Sequence, residues 1–386
     1  MIMDDANKKM NTKKNSAARN ITAVVFLIFI AALTALNLLW PDSDFSPDEN
    51  RMLAGFPKFS LKALFLDDDK WTLKFEDYAT DQFPLRSKFV GIKAASERAL
   101  LKSETGGVYF AQNDTLIERP KPAAFKTAVT NVSAINTFAQ TCGVPVTLAL
   151  IPNSVTVNSN LLPPFAYDGE QSALIAEAYK NSAVPTVDIA SALDGGNDLF
   201  YRTDHHPTAA GAYRIYSALS PALSYTPVQE RDYNVTRATS SFRGTAFANS
   251  GAWWVEPDAI TLYSRPDKLY TLTTVEGDAS TVMDGLYDME RLKTADEYTV
   301  FLGGNHPLQV IRGGSGKKLL LLKDSFSHCV APLLCEHFLE LHLIDMRYYR
   351  GSVHQYIKDN RIDAVLIMYS AANFTSEKNL LFLNNS

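Results

Sequence analysis

LLLLKDSFSHCVAPLL, residues 319–334, runs four leucines into a Lys-Asp-Ser triplet and then into a segment that starts like a helix. With the lysines ahead of it the strand reads KKLLLLK (317–323), apolar on both faces, which is how a strand looks when helices cover it from two sides. Working outward, the same signature recurs in VPVTLALIP (144–152), VPTVDIA (184–190), LELHLIDM (339–346) and IDAVLIMY (362–369), with helical periodicity between the runs. These short runs predict an α/β sandwich of three layers around a mainly parallel sheet. Ser325 then stands at the carboxyl end of a buried strand, where open α/β sheets place their ligands, and its own N–H can donate to a developing oxyanion. A serine that merely caps the following helix fits the same local pattern.

A second segment supplies what a nucleophilic hydroxyl needs. FYRTDHHPTAAGAYRIY (200–216) sets Asp204, His205 and His206 in a loop before a helical stretch, with Pro207 suited to the first helical position. An Asp two residues from a His can hold one imidazole tautomer and stabilise its charged form, as a general base requires. Helix capping, or a histidine pair binding metal, are the competing readings of this segment alone. Taken with Ser325, the chain offers a nucleophile, a base and an orienter: Ser325, His206 and Asp204.

Toward the amino terminus, Ile21 to Trp40 is twenty residues without a charge, about 30 Å of helix and enough to span a bilayer once. Residues 1–40 carry a net charge of +3, with Lys8, Lys9, Lys13, Lys14 and Arg19 ahead of the span, while Asp42, Asp44, Asp48 and Glu49 follow it. The positive-inside rule puts residues 1–20 in the cytoplasm and the rest outside the cell membrane, with an uncleaved anchor favoured over a signal peptide. The remaining residues hold a net charge of about −8 and no Lys/Arg block, which argues against nucleic acid. No Gly-rich phosphate loop is present, so no nucleotide cofactor is expected, and no metal site is read. Cys142, Cys329 and Cys335 fit buried packing, although one disulfide stays open. The organisation expected is a tail (1–20), an anchor (21–40), a helical lead-in broken around Pro84 and leaning on the main domain (41–119), and the catalytic domain (120–386). Within the last, residues 230–316 read as antiparallel strands and surface loops.

TDHHPTAAGAY followed by LLLLKDSFSHCVAPLL and IDMRYY resembles the bacterial DHHW family, related to the alginate O-acetylation proteins of the AlgX and AlgJ type. SPDENRMLAGFPKFS (46–60), FEDYATDQFPLR (75–86), FRGTAFANSGAW (242–253) and VFLGGNHPL (300–308) extend the likeness over nearly all of the chain after the anchor. The resemblance implies an SGNH-hydrolase-like fold with permuted block order, in which Asp204 orients, His206 is the base, Ser325 is the nucleophile and His205 supports. It also suggests Gly351 and Asn373 for the oxyanion hole with Arg347 nearby. Asn305 is a rival donor, and Arg347 has the alternative of pairing a buried acid. The chain departs from the motif at Pro207, which stands where the family has Trp. The function implied is an extracytoplasmic, serine-dependent O-acetyl transferase acting on a cell-surface or exopolysaccharide, with a membrane-bound O-acyltransferase as donor partner. A carbohydrate acetylesterase and a non-catalytic polysaccharide-binding or assembly protein are the alternatives.

Overall fold

The computed structural model describes residues 2–58, 71–196 and 198–385, so part of the expected lead-in, residues 59–70, lies outside the described residues. The chain divides into two compact units, residues 1–90 and 91–386. In the first, one helix runs Ile2–Leu39, so the polar tail continues the apolar helix rather than standing apart from it. Its stretch Asn20–Asn37 has a mean hydropathy of 2.1 and is long and apolar enough to cross a membrane, by length and composition. Beyond it, the Arg51 guanidinium forks onto Asp81 (2.8 and 2.5 Å), and Gln82 exchanges hydrogen bonds with the Ser43 main chain. Both acceptors close the helix Trp71–Asp81, and a turn at Pro84 separates it from the helix Arg86–Ala99.

The second unit is built on an eight-stranded sheet, labelled here β1 to β8 in chain order: Val146–Ile151, Thr186–Val187, Thr271–Glu276, Ala279–Asp284, Leu308–Arg312, Lys317–Lys323, Phe338–Ile344 and Ala364–Ser370. Their spatial order is β4-β3-β5-β7-β6-β8-β1-β2. The five strands from β7 to β2 are mutually parallel, and β5, β3 and β4 extend the sheet antiparallel on one side.

Period-two alternation explains why β6 is apolar without a break from Leu319 to Leu322. Leu319 and Leu321 enter one core with Leu341, Leu343, Leu366 and Met368, against Ile215 and Leu219 of the helix Ala209–Leu223. Leu320 and Leu322 enter the opposite core with Leu148, Leu150, Val365 and Ile367, against Val132, Ile135 and Phe138 of the helix Phe125–Thr141. The sheet is thus the middle of three layers, as the sequence predicts.

Three details bear on the sequence reading. Residues 104–118 form a small antiparallel sheet whose Leu116 N–H donates to the Arg202 carbonyl (2.7 Å), and whose Tyr109 hydroxyl accepts from Tyr167 N–H (3.1 Å). Those bonds tie them into the second unit, which begins at residue 91 and not at 120. Residues 230–316 do contribute antiparallel strands, and β3, β4 and β5 among them join the central sheet. The three cysteines are buried and unpaired.

Because β6 fills both cores, Leu320→Ala and Leu321→Ala should each cost about 2–5 kcal/mol. Urea unfolding of the detergent-solubilised chain, with the two midpoints compared with wild type, checks this.

Candidate functional site

The loop that carries the histidines is held by its own backbone and by buried carboxylates. Phe200 and Pro207 form an isolated antiparallel bridge, Tyr201 N–H donates to His206 O (3.2 Å), and Thr208 N–H donates to Leu199 O (2.9 Å). Asp204, His205 and His206 therefore sit at the tip of a tight hairpin. Thr208, not the residue before it, is the helix cap, with its hydroxyl accepting from Gly211 N–H (3.2 Å). Pro207 consequently precedes the cap instead of occupying the first helical turn. Gly211 is required there, because a Cβ would lie 2.1 Å from the Leu199 carbonyl oxygen. Below the tip, the buried Asp258 accepts from Thr203 N–H (2.8 Å), the Thr203 hydroxyl (2.6 Å) and Arg202 N–H (3.2 Å).

Asp204 is buried and fully engaged. Its Oδ1 accepts from His206 N–H (2.9 Å) and faces His206 Nδ1 at 2.5 Å, while Oδ2 accepts from Thr245 N–H (2.8 Å). Thr245 can come so near because its neighbour is Gly244, where a Cβ would lie 2.2 Å from the Asp204 side chain. Burial opposes charge on Asp204, but His206, His205 and the Thr245 N–H hold its carboxyl well below the usual carboxylate range.

His206 Nε2 lies 2.8 Å from Ser325 Oγ, across 119 residues of chain. A carboxylate only accepts, so Nδ1 must carry the proton that faces Asp204, which leaves Nε2 as the acceptor for the Ser325 hydroxyl. Burial, then the charge on His205, push the His206 pKa below the ordinary histidine value, so the ring is neutral and able to take a proton at neutral pH. For His205 burial also disfavours charge, yet Asp204 and Glu118, the latter with Oε1 3.5 Å from Nδ1, raise its pKa to about 9.

Ser325 opens a short turn, Ser325–Ser327, directly after β6. Asp324 anchors that turn: Oδ1 accepts from Phe326 N–H (3.0 Å), and Oδ2 accepts from Ser370 N–H (2.9 Å) and the Asn373 amide (2.8 Å). Asn373, read as an oxyanion donor, thus has its amide on Asp324 beside Ser325. Arg347 and Asn305 meet each other, with the Asn305 oxygen accepting from the guanidinium (3.0 Å). That guanidinium also forks onto the fully buried Asp345 (2.9 and 2.6 Å), the alternative reading of Arg347. Gly351 is not brought to Ser325. It lies in a separate depression with Met346, Tyr349, Arg350, Ser352, Phe382 and Asn385, because the chain runs on beyond β7 before reaching it.

Several neighbours escaped the sequence reading. Tyr298 stacks on His206, and Lys323, fully buried one residue before Asp324, sits 2.5 Å from His328 Nε2 and 3.7 Å from Asp345 Oδ2. Burial brings the Lys323 pKa down to about 8 despite Asp345. Only Gly244 had a local cue, as a glycine inside FRGT. Asp204, His205 and His206 offer ligand atoms within 4.8 Å of one another, the spacing of a metal site. Both ring nitrogens of His206 and both oxygens of Asp204 are already engaged as described, so this donor set fits proton transfer better than a metal. Beside Asp204 and His205 opens a cleft of about 310 Å³, lined also by Glu118, Asn153, Gln171 and Asn373.

Comparison with known proteins agrees with this architecture. Residues 108–295 match the family model described as "SGNH hydrolase-like domain, acetyltransferase AlgX", a span that includes Asp204 and His206 and ends before Ser325. Among solved structures, the chain is similar to a DHHW family protein from Eubacterium siraeum, at 22% identity over 73% of this chain and 96% of that one, with a TM-score of 0.64. It is also similar to Bacillus cereus PatB1 with a sulfonyl adduct, at 19% identity over 72% and 97% of the two chains, with a TM-score of 0.59. At such identities the likeness is one of fold, the SGNH-like α/β sandwich with a mostly parallel sheet. No curated protein sequence matches the chain.

The buried Lys323–Asp345 pair generates a stability prediction. Asp345→Ala leaves both Lys323 and Arg347 without their acid and should cost about 3–5 kcal/mol, and adding Lys323→Met should recover only the part due to the buried lysine. Urea midpoints of the single and double variants provide the check.

Proposed function

We propose that this chain is an extracytoplasmic serine-dependent O-acetyl transferase, held to the membrane by its amino-terminal helix, whose acceptor is a hydroxyl of a cell-surface or exopolysaccharide. The observation that carries the reading is the continuous contact Asp204–His206–Ser325, at 2.5 and 2.8 Å, assembled from two segments far apart in the chain.

In this reaction the Ser325 hydroxyl attacks the acyl carbonyl of the donor as His206 Nε2 takes its proton. Asp204 stabilises the resulting imidazolium, and the Ser325 N–H at the start of the turn donates to the oxyanion. The tetrahedral species collapses, the donor's leaving group departs with the proton from His206, and Ser325 retains the acyl group as an ester. A sugar hydroxyl then gives its proton to His206 and attacks that ester, which releases the O-acyl sugar and regenerates Ser325. Water in place of the sugar makes the same residues an esterase. The cleft beside His205 offers room for an acceptor, and the match to an acetyltransferase family model favours transfer. A membrane-bound O-acyltransferase supplying the acetyl group suits a domain whose chain carries an apolar helix able to cross a membrane.

Detergent-solubilised chain given a chromogenic acetyl ester, with and without an oligosaccharide, should move acetyl onto the sugar. Release of acetate alone would leave the esterase. Ser325→Ala should lower turnover at least ~10³-fold, and Asp204→Asn on the order of 10⁴-fold by allowing the wrong imidazole tautomer. Undiminished turnover in a folded Ser325→Ala chain removes the mechanism. A sulfonyl fluoride should label Ser325 with loss of fluoride and spare the alanine variant. The depressed His206 pKa also sets the acidic limb. Protonation removes the base, so kcat/KM should rise with pH through a midpoint below the ordinary histidine value of about 6.5. A rate profile from pH 4 to 8 locates it.

A further inference from the structure

The proposed mechanism uses the edges of the His206 ring, through Nδ1 and Nε2, but leaves its face unassigned. That face is covered. The Tyr298 ring lies parallel to the imidazole, with centroids 3.7 Å apart and an interplanar angle of 7°. Tyr298 is buried in the turn Glu297–Val300 and is itself held by Tyr201, edge-on at 6.4 Å and 82°, and by Phe301 at 5.2 Å. Its hydroxyl donates to the main-chain carbonyl of Ser325 (3.2 Å). One side chain therefore touches the base through its face and the nucleophile's backbone through its phenol.

Both bonds of His206 have to lie in the plane of its ring, because ring-nitrogen lone pairs and N–H bonds point outward in that plane. Asp204 restrains the ring at one nitrogen only, so the imidazole keeps a tilt about that contact. A tilt swings Nε2 away from Ser325 Oγ. A flat, immobile neighbour in van der Waals contact removes this freedom. The hydroxyl bond fixes the height of the Ser325 turn against the same plate.

We infer that Tyr298 is a positioning residue for acyl transfer, its ring setting the plane of His206 and its hydroxyl tying the Ser325 turn to that plane. The inference rests on the proposed Ser325 chemistry. It assigns a working part to the chain between β4 and β5, outside both segments that carry the site.

The test compares Tyr298→Phe, which keeps the plate and loses the tie, with Tyr298→Met, which refills the volume without a flat face. Steady-state hydrolysis of a chromogenic acetyl ester is measured for the full chain in detergent, with circular dichroism confirming the fold. Tyr298→Met should lose about 10²-fold in kcat, as misplaced catalytic groups do, with KM within about twofold of wild type. Tyr298→Phe should lose only about fivefold, the worth of one ordinary hydrogen bond. Wild-type kcat in folded Tyr298→Met overturns the inference. So does a raised KM with unchanged kcat, which would make Tyr298 a substrate contact, and so do equal losses in the two variants, which would leave the plate without effect. Should Tyr298→Met not fold, wild-type kcat in Tyr298→Phe still overturns the two-point tie. Ser325→Ala run alongside separates the failures. Turnover surviving in that variant sinks the enzyme reading, whereas its loss with a fully active Tyr298→Met chain sinks this inference alone.

Discussion

A carboxylate taken out of water must be given hydrogen-bond donors, and in this protein that demand organises the site. Asp258 gathers the main-chain N–H groups of Arg202 and Thr203, which fixes the loop just before Asp204. Asp204 gathers those of His206 and Thr245, and Asp324 gathers Phe326, Ser370 and the Asn373 amide. Asp345 does the same with Arg347, through both its N–H and its guanidinium. Asp258, Asp204 and Asp324 are thus knots between segments distant in the chain. The His206–Ser325 contact is where two of the knotted segments meet, so its geometry follows from buried charge satisfied by backbone more than from the contact itself.

This explains which features the sequence revealed. The leucines of β6 were legible because burial on both faces writes an unbroken apolar run, and a period-two split into two cores needs no other information. Asp204, His206 and Ser325 were legible as residue types at the ends of recognisable elements. Thr245 and Tyr298 were not, because their roles come from the chain's return from elsewhere, and no spacing announces a return; Gly244 had only the cue of a glycine inside FRGT. Gly351 came from the resemblance alone, which does not tell how far the loop after a strand end travels before it turns. Arg347 and Asn305 carried the right polarity, but whether such a group faces a substrate or a buried acid depends on Asp345, whose partners are set in three dimensions.

The region between the histidine helix and β6 shows the cost of reading strands one at a time. Its alternating segments read as antiparallel strands without a stated place in the sheet; β3, β4 and β5 lengthen the central sheet, Asp258 opens the strand Asp258–Ser264, and Gly244 and Tyr298 reach the site. An antiparallel extension carries its own hydrogen bonds outward, so the sheet gains width without further crossover helices. The same segments then supply the wall against which Asp204 and His206 are pressed.

The strand order also bears on how the molecule is made. β1 pairs with β8, Val146 against Val365, and β6 takes its place between β7 and β8. An emerging chain therefore holds β1 paired only with the two-residue β2 along one edge until β8, Ala364–Ser370, has been synthesised. Such non-local pairing delays closure and leaves a bare apolar ribbon open to misassociation in the meantime.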